Sequence, residues 1–216
     1  KIRGPHVFKT MGQGLGDLMS TFREIRRYKE ICKLLAARMI YNDGLVTIFA
    51  FGGIYAAGTF GFGLQQIMVF GIVMNIAAGL GALVMGIFDD RLGGKAVIQA
   101  SNCLLALAVL VAALSPSQTM FWAAGILVGL CAGPNQSASR SLLGRLVPRE
   151  KENQFFGFFA FSGKLTAFAG PLMLGMVTQA LDSQRAGILT VILFFLFGRL
   201  VLSRVDEGAG LKEKNR

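Results

Sequence analysis

Residues 64–95 read LQQIMVFGIVMNIAAGLGALVMGIFDDRLGGK. Between Ile67 and Phe88 the one strongly polar side chain is Asn75, and the run closes on Asp89, Asp90, Arg91 and Lys95. About 20 apolar residues suffice for an α-helix to cross the hydrocarbon core of a bilayer. The stretch therefore reads as a membrane span ending on a short charged turn, and the rest of the chain repeats that design.

Five more runs qualify, so spans are expected at 35–60, 65–88, 95–114, 119–140, 154–180 and 186–203. Turn-forming residues separate them, among them Gly61 to Gly63, Ser115-Pro116-Ser117 and Pro148 to Asn153. Of the 216 residues, 53% are hydrophobic and 16% charged, where a soluble domain carries about 25% charged residues. The fold class is read as all-α: an integral membrane bundle of six transmembrane helices. Residues 1–33 form a basic leader, 34–203 the bundle and 204–216 a cytoplasmic tail. Within the leader, 15–32 is amphipathic and suits a helix lying along the membrane surface. The chain opens on Lys1, its first Met being Met11, and is read as a segment of a longer polypeptide. Nothing in 1–33 resembles the apolar core of a secretion signal.

A net charge of +10 raises nucleic acid as a partner, but the cations do not form one folded basic face. Of 22 Lys and Arg, 20 fall in the leader, the second-to-third and fourth-to-fifth connections, and the tail, counting Arg38, Lys95, Arg140 and Arg199 at the span ends that adjoin them. These segments share one side of a six-span bundle, which the positive-inside rule makes cytoplasmic. Both termini are then cytoplasmic, and no nucleic-acid partner is expected. Cys32, Cys103 and Cys131 are isolated, and His6 is alone, so no metal site is read. The glycines of 12–16 follow no strand, and Gly157 to Lys164 has the wrong spacing for a phosphate loop. No enzyme motif and no cofactor is read.

Polar side chains within a span cost several kcal/mol unless a partner or water meets them. Their positions are the functional signal. Arg38, Asn42 and Asp43 stand in the first span, Asn75 in the second, Asn135 and Gln136 in the fourth, and Lys164 in the fifth. The third and sixth carry the least, which suggests two triplets whose third members face lipid. Lys164 falls about 15–17 Å from the cytoplasmic end of its helix, near the midplane. It reads as a substrate or coupling group, or else as a structural ion-pair or carbonyl partner. Asp43 reads as a proton carrier or counter-charge to Lys164, with pairing to Arg38 as the alternative. Gly125, Gly129 and Gly133 repeat every four residues and suit close helix packing. Pro134 after them frees backbone groups that, with Asn135 and Gln136, would line a cavity or else only kink the helix.

The segment Gly86-x-x-x-Asp90-Arg91-x-Gly93-x-Lys95 resembles the G-x-x-x-D-R-x-G-x-K loop of the major facilitator superfamily, which joins the second and third helices of each six-helix half. Residues 37–44, 133–140 and 155–164 are similar to the vacuolar effluxer branch, which includes fungal vacuolar amino-acid exporters and bacterial members. The resemblance covers roughly 22–207 and implies the C-terminal half of a secondary transporter, with a missing N-terminal half as partner. It further implies rocker-switch alternating access, a small solute such as an amino acid, a proton as coupling ion, and the bacterial cytoplasmic membrane. The loop would be a cytoplasmic clasp, with Asp90 pairing to Arg140 and Arg91 latching the other half; a plain basic turn is the alternative. Two rival readings are a non-transporting scaffold or sensor and an autonomous six-helix carrier that dimerises.

Overall fold

The computed structural model describes residues 28–214; the side chains of 87–91 lie outside the described residues. So does most of the amphipathic stretch expected at 15–32. The described chain is helical almost throughout: α1 (Lys29–Phe60), α2 (Leu64–Leu92), α3 (Gly94–Leu114), α4 (Gln118–Leu146), α5 (Glu152–Leu165), α6 (Ala169–Leu181), α7 (Gln184–Ser203) and α8 (Glu207–Lys214).

Local chemistry sets the helix ends. Gly61, at φ 71°, closes α1 by donating its N–H to the Ala56 and Ala57 carbonyls, a left-handed cap that glycine adopts without Cβ strain. Gly93, at φ 83°, turns α2 into α3. Ser117 and Ser183 cap α4 and α7 by accepting the Met120 and Ala186 N–H groups, both at 3.3 Å. Asp206 does the same for α8: its carboxylate accepts the Ala209 N–H at 3.0 Å, a bond that holds its pKa below the usual carboxylate range.

Among the described residues, five segments are long and apolar enough to cross a membrane: α1, residues 64–86 of α2, α3, the α5–α6 unit and α7. α4 is not apolar enough, because Asn135, Gln136, Ser137, Ser139, Arg140 and Arg145 crowd its second half. Its 29 residues would nevertheless reach about 43 Å. The fifth expected span is not one helix but two, broken over 166–168.

Matched contacts give the helix directions. Gly125, Gly129 and Gly133 of α4 meet Phe70, Met74 and Ala78 of α2, so these two helices run parallel. Asn42 meets Gly163 and Asp43 meets Gly170, so α1 runs parallel to the α5–α6 unit. Tyr41 packs on Gly198 and Gly44 on Phe195, which makes α7 antiparallel to α1. Arg185 reaches Ser115 and Arg199 reaches Cys103, so α7 is antiparallel to α3 as well.

Neighbour relations repeat. α2 lies on α4 as α1 lies on the α5–α6 unit, α3 packs on α4 as α7 packs on α1, and α3 and α7 touch each other. Exposure corrects one expectation, however. The third helix does not face lipid within this bundle: 56% of the α3 span is buried, against 22% for α2 and 17% for the α5–α6 unit. Ser101, Ala108, Ala112 and Ala113 are small and buried, so α4 and α7 close on α3 from two sides.

Candidate functional site

The broken fifth span is the most polar place in the bundle, and Pro171 explains why it breaks. Proline has no N–H to give the Ala167 carbonyl, and its ring crowds that carbonyl. α5 therefore stops at Leu165 and the chain tightens, with Ala167 N–H bonding Lys164 O at 3.3 Å and Ala169 N–H bonding Thr166 O at 2.9 Å. These shorter loops leave the Gly163 carbonyl and the Gly170 N–H without their helical partners. Inside a membrane such groups must find other partners.

α1 supplies them. Asn42 Nδ2 donates to Gly163 O at 2.8 Å, and the Gly170 N–H donates to Asp43 Oδ2 at 2.9 Å. Thr166 Oγ1 donates to Met39 O at 2.9 Å, so a third bond ties the break to the same turn of α1. Close approach requires small residues. A Cβ at Gly170 would run into Thr47 Oγ1, and one at Gly163 would lie 3.2 Å from both Arg38 Nη2 and Asn42 Nδ2.

Asp43 is 1% exposed and its Oδ1 has no hydrogen-bond partner. It forms an ion pair with neither Lys164 nor Arg38. Arg38, 9% exposed, instead lays its guanidinium 3.6 Å from the centre of the Phe159 ring and donates Nε–H to Phe159 O at 3.4 Å. An aromatic face and a carbonyl thus hold this cation. Lys164 sits in the last turn of α5, immediately before the break, and its side chain is exposed.

The remaining expected residues do not join this cluster. Asn135 is fully buried and donates Nδ2–H to Asn102 Oδ1 at 2.8 Å, inside the α3–α4 contact. Ser139 Oγ donates to Asn135 O at 2.5 Å and meets Tyr41 Oη at 2.7 Å, so this network links α1, α3 and α4. α4 stays helical through Pro134. Asn102 Nδ2 and Asn135 Oδ1 remain without partners. Asn135→Leu is expected to lower the melting temperature by stranding Asn102, and Asn102→Leu added to it should recover part of the loss. The double-mutant cycle should show coupling of about 0.6–2 kcal/mol.

Gln136 is exposed on α4. Asn75 is exposed and donates to Gly71 O of its own helix at 2.8 Å. It lines an open cavity of about 620 Å³ between α1 and α2, with Ile48, Gly52, Ile67 and Phe70. Five of the six polar residues thus divide among the break, the α3–α4 contact and this cavity, and Gln136 stands apart on the exposed face of α4, instead of all converging on one point.

In the loop motif, Gly93 supplies the turn and Gly86 is open on its helix. The Asp90 and Arg91 side chains, and with them the Asp90–Arg140 pairing, lie outside the described residues; Arg140 is exposed. Lys95 is engaged within its own bundle. Its Nζ donates to Ser203 O at 3.0 Å and Val205 O at 2.5 Å, capping the end of α7. Its backbone N–H donates to Glu207 at 3.2 Å. α8 is fastened further by Glu30, which accepts the Asp206 N–H at 2.7 Å, and by Lys214, which donates to Arg145 O at 3.1 Å.

Sequence reasoning missed the roles of Gly163, Thr166 and Gly170 as acceptor, tether and donor at the break. Gly170-Pro171 with Gly175 does read in the sequence as a kinked, closely packed segment of the fifth span, and Pro171 marks the carbonyl four residues earlier as disturbed, but neither names the groups of α1 that answer it. It missed α8 altogether, where the Asp206 cap followed by Glu207 was the signal.

Across residues 3–215 the chain matches the family model described as "Vacuole effluxer Atg22 like". It is similar to an uncharacterized MFS-type transporter, YxiO, of Bacillus subtilis, at 27% identity over 207 residues, covering 94% of this chain and 46% of the relative. Autophagy-related protein 22 of Cryptococcus neoformans is 25% identical over 207 residues, with 88% of this chain and 36% of the relative covered. The Kluyveromyces lactis protein of the same name is 24% identical over 219 residues, with 94% and 44% covered. The chain spans less than half the length of these relatives.

Proposed function

The chain belongs to the Atg22-like vacuole effluxer family, a family of membrane transporters, and from that premise we propose that it is the C-terminal six-helix half of a secondary transporter moving amino acids. α4 is the sixth crossing. It runs parallel to α2 along successive turns, so it traverses the same depth, and its Asn135 and Ser139 are met by Asn102 of α3 and Tyr41 of α1. The repeated neighbour relations support a three-plus-three arrangement. The Lys and Arg bias puts both termini in the cytoplasm, and the bacterial relative supports the cytoplasmic membrane as the site of action.

One observation carries the reading: the fifth span is broken beside Lys164, and α1 satisfies the freed backbone. Secondary transporters build midplane sites from such discontinuous helices. Lys164 offers an ammonium to a substrate carboxylate, with Asn42 beside the break as a neutral hydrogen-bonding group; Asn135 holds α4 against α3, while Asn75 and Gln136 lie apart, on the α1–α2 cavity and the exposed face of α4. Asp43 is the candidate proton acceptor. The N-terminal half of the full-length protein would cover the exposed Lys164, and the loop of Gly86, Asp90, Arg91, Gly93 and Lys95 would form the cytoplasmic clasp with Arg140.

The full-length protein in liposomes is expected to exchange radiolabelled amino acids, saturably and well above protein-free vesicles. Folded, monodisperse protein that moves none of the twenty above that background would defeat the reading.

A further inference from the structure

The geometry points to the α5–α6 break being a proton-operated hinge, with Asp43 Oδ1 as the proton site and the Asp43–Gly170 bond as the latch. This rests on the transport reading for its purpose, though not for its test. Two independent observations meet here. The first is a helix start inside the bundle whose Gly170 N–H, left over by the break, is satisfied by a side chain of another helix. The second is that this side chain is 1% exposed and keeps one oxygen unpartnered. That oxygen lies 3.3 Å from where a Gly170 Cβ would stand, so it is aimed at the same turn.

Among the described residues, the surrounding charges leave the carboxylate without a counter-ion. α1 itself brings Arg38, held by Phe159, and Tyr41, held by Ser139. α5 brings Lys164, whose exposed side chain forms no ion pair with Asp43. α6 carries no titratable side chain. α7 presents Phe194 and Phe195 beside Gly44, while its Arg185 and Arg199 bond Ser115 and Cys103. The charged form is thus favoured only by the N-terminal amides and dipole of α6, against the cost of a lone charge in an apolar interior.

When Oδ1 takes a proton from water reaching the break, the carboxylate becomes a neutral acid; no other bond forms or breaks, and release reverses the step. The Gly170 N–H···Oδ2 bond then loses its charge assistance, which is about half its strength. The Lys164 carbonyl is the acceptor for Ala167 N–H within the same break. A loosened latch therefore frees α5 to move against α6, carrying Lys164 with it.

Hydrogen exchange on the full-length protein in nanodiscs tests this, read as protection factors corrected for the chemical rate at each pH. Protection over 166–173 is expected to be roughly fivefold lower at pH 5.5 than at pH 8. Asp43→Asn, which keeps an acceptor for Gly170 and cannot ionise, should show the same protection at both. Equal protection in the wild type at both pH values would overturn the hinge, as would a full pH response in Asp43→Asn. The wild-type comparison decides even where the variant fails to fold. Amino-acid exchange measured in parallel separates the two ideas: flux without pH-dependent protection sinks the hinge alone, and pH-dependent protection without flux supports the hinge and sinks the transport reading.

Discussion

Lys164→Met is expected to lower amino-acid flux by at least about 100-fold while leaving the protein folded. Removing one partner of a poorly hydrated charge pair costs about 3–5 kcal/mol, and each 1.4 kcal/mol is a factor of ten. The bundle itself does not use the ammonium, since the side chain is exposed and pairs with no carboxylate among the described residues. Surface substitutions of that kind stay within about 0.5 kcal/mol, so thermal melting in detergent should move by no more than about 2 °C. Flux at the wild-type level would remove Lys164 from the transport path. A large melting shift would recast it as a structural group.

Gly133→Leu is expected to abolish the monodisperse folded peak in size-exclusion chromatography. A single Cβ there already collides with the Ala78 carbonyl oxygen and sits 3.1 Å from Ala82 N, both backbone atoms that cannot swing away. Overpacking typically costs about 1–3 kcal/mol and occasionally more; here α2 and α4 would have to separate along the turns where Gly125, Gly129 and Gly133 seat them. Gly79→Leu is the control, because an added Cβ meets nothing within 4 Å at that position. It should fold. Normal folding of Gly133→Leu would overturn the close seam between α2 and α4.

These predictions draw on different layers of information. The glycine repeat of α4 was visible as spacing, yet spacing alone does not say which helix it meets or that Ala78 is the atom in the way. The position of Lys164 in a span was visible too, but its place on the outside of the bundle was not. Asn135 and Gln136 are adjacent in sequence and were read together. The helical turn of about 100° per residue sends one into the α3–α4 contact and leaves the other exposed. α4 falls short in hydropathy because its second half carries Asn135 to Arg145, although Asn135 and Ser139 there are satisfied by neighbouring helices, which no window of sequence reveals.

Hydropathy, run length and the positions of glycine and proline are properties of short stretches, so the chain's residues alone specify an all-helical membrane bundle, most helix ends and the neighbourhood of the break. Which polar groups meet is another matter. Asp43 and Gly170 are 127 residues apart, and their bond depends on the rotation and depth at which two helices dock. Those quantities come from packing summed over whole faces, and no local window contains them.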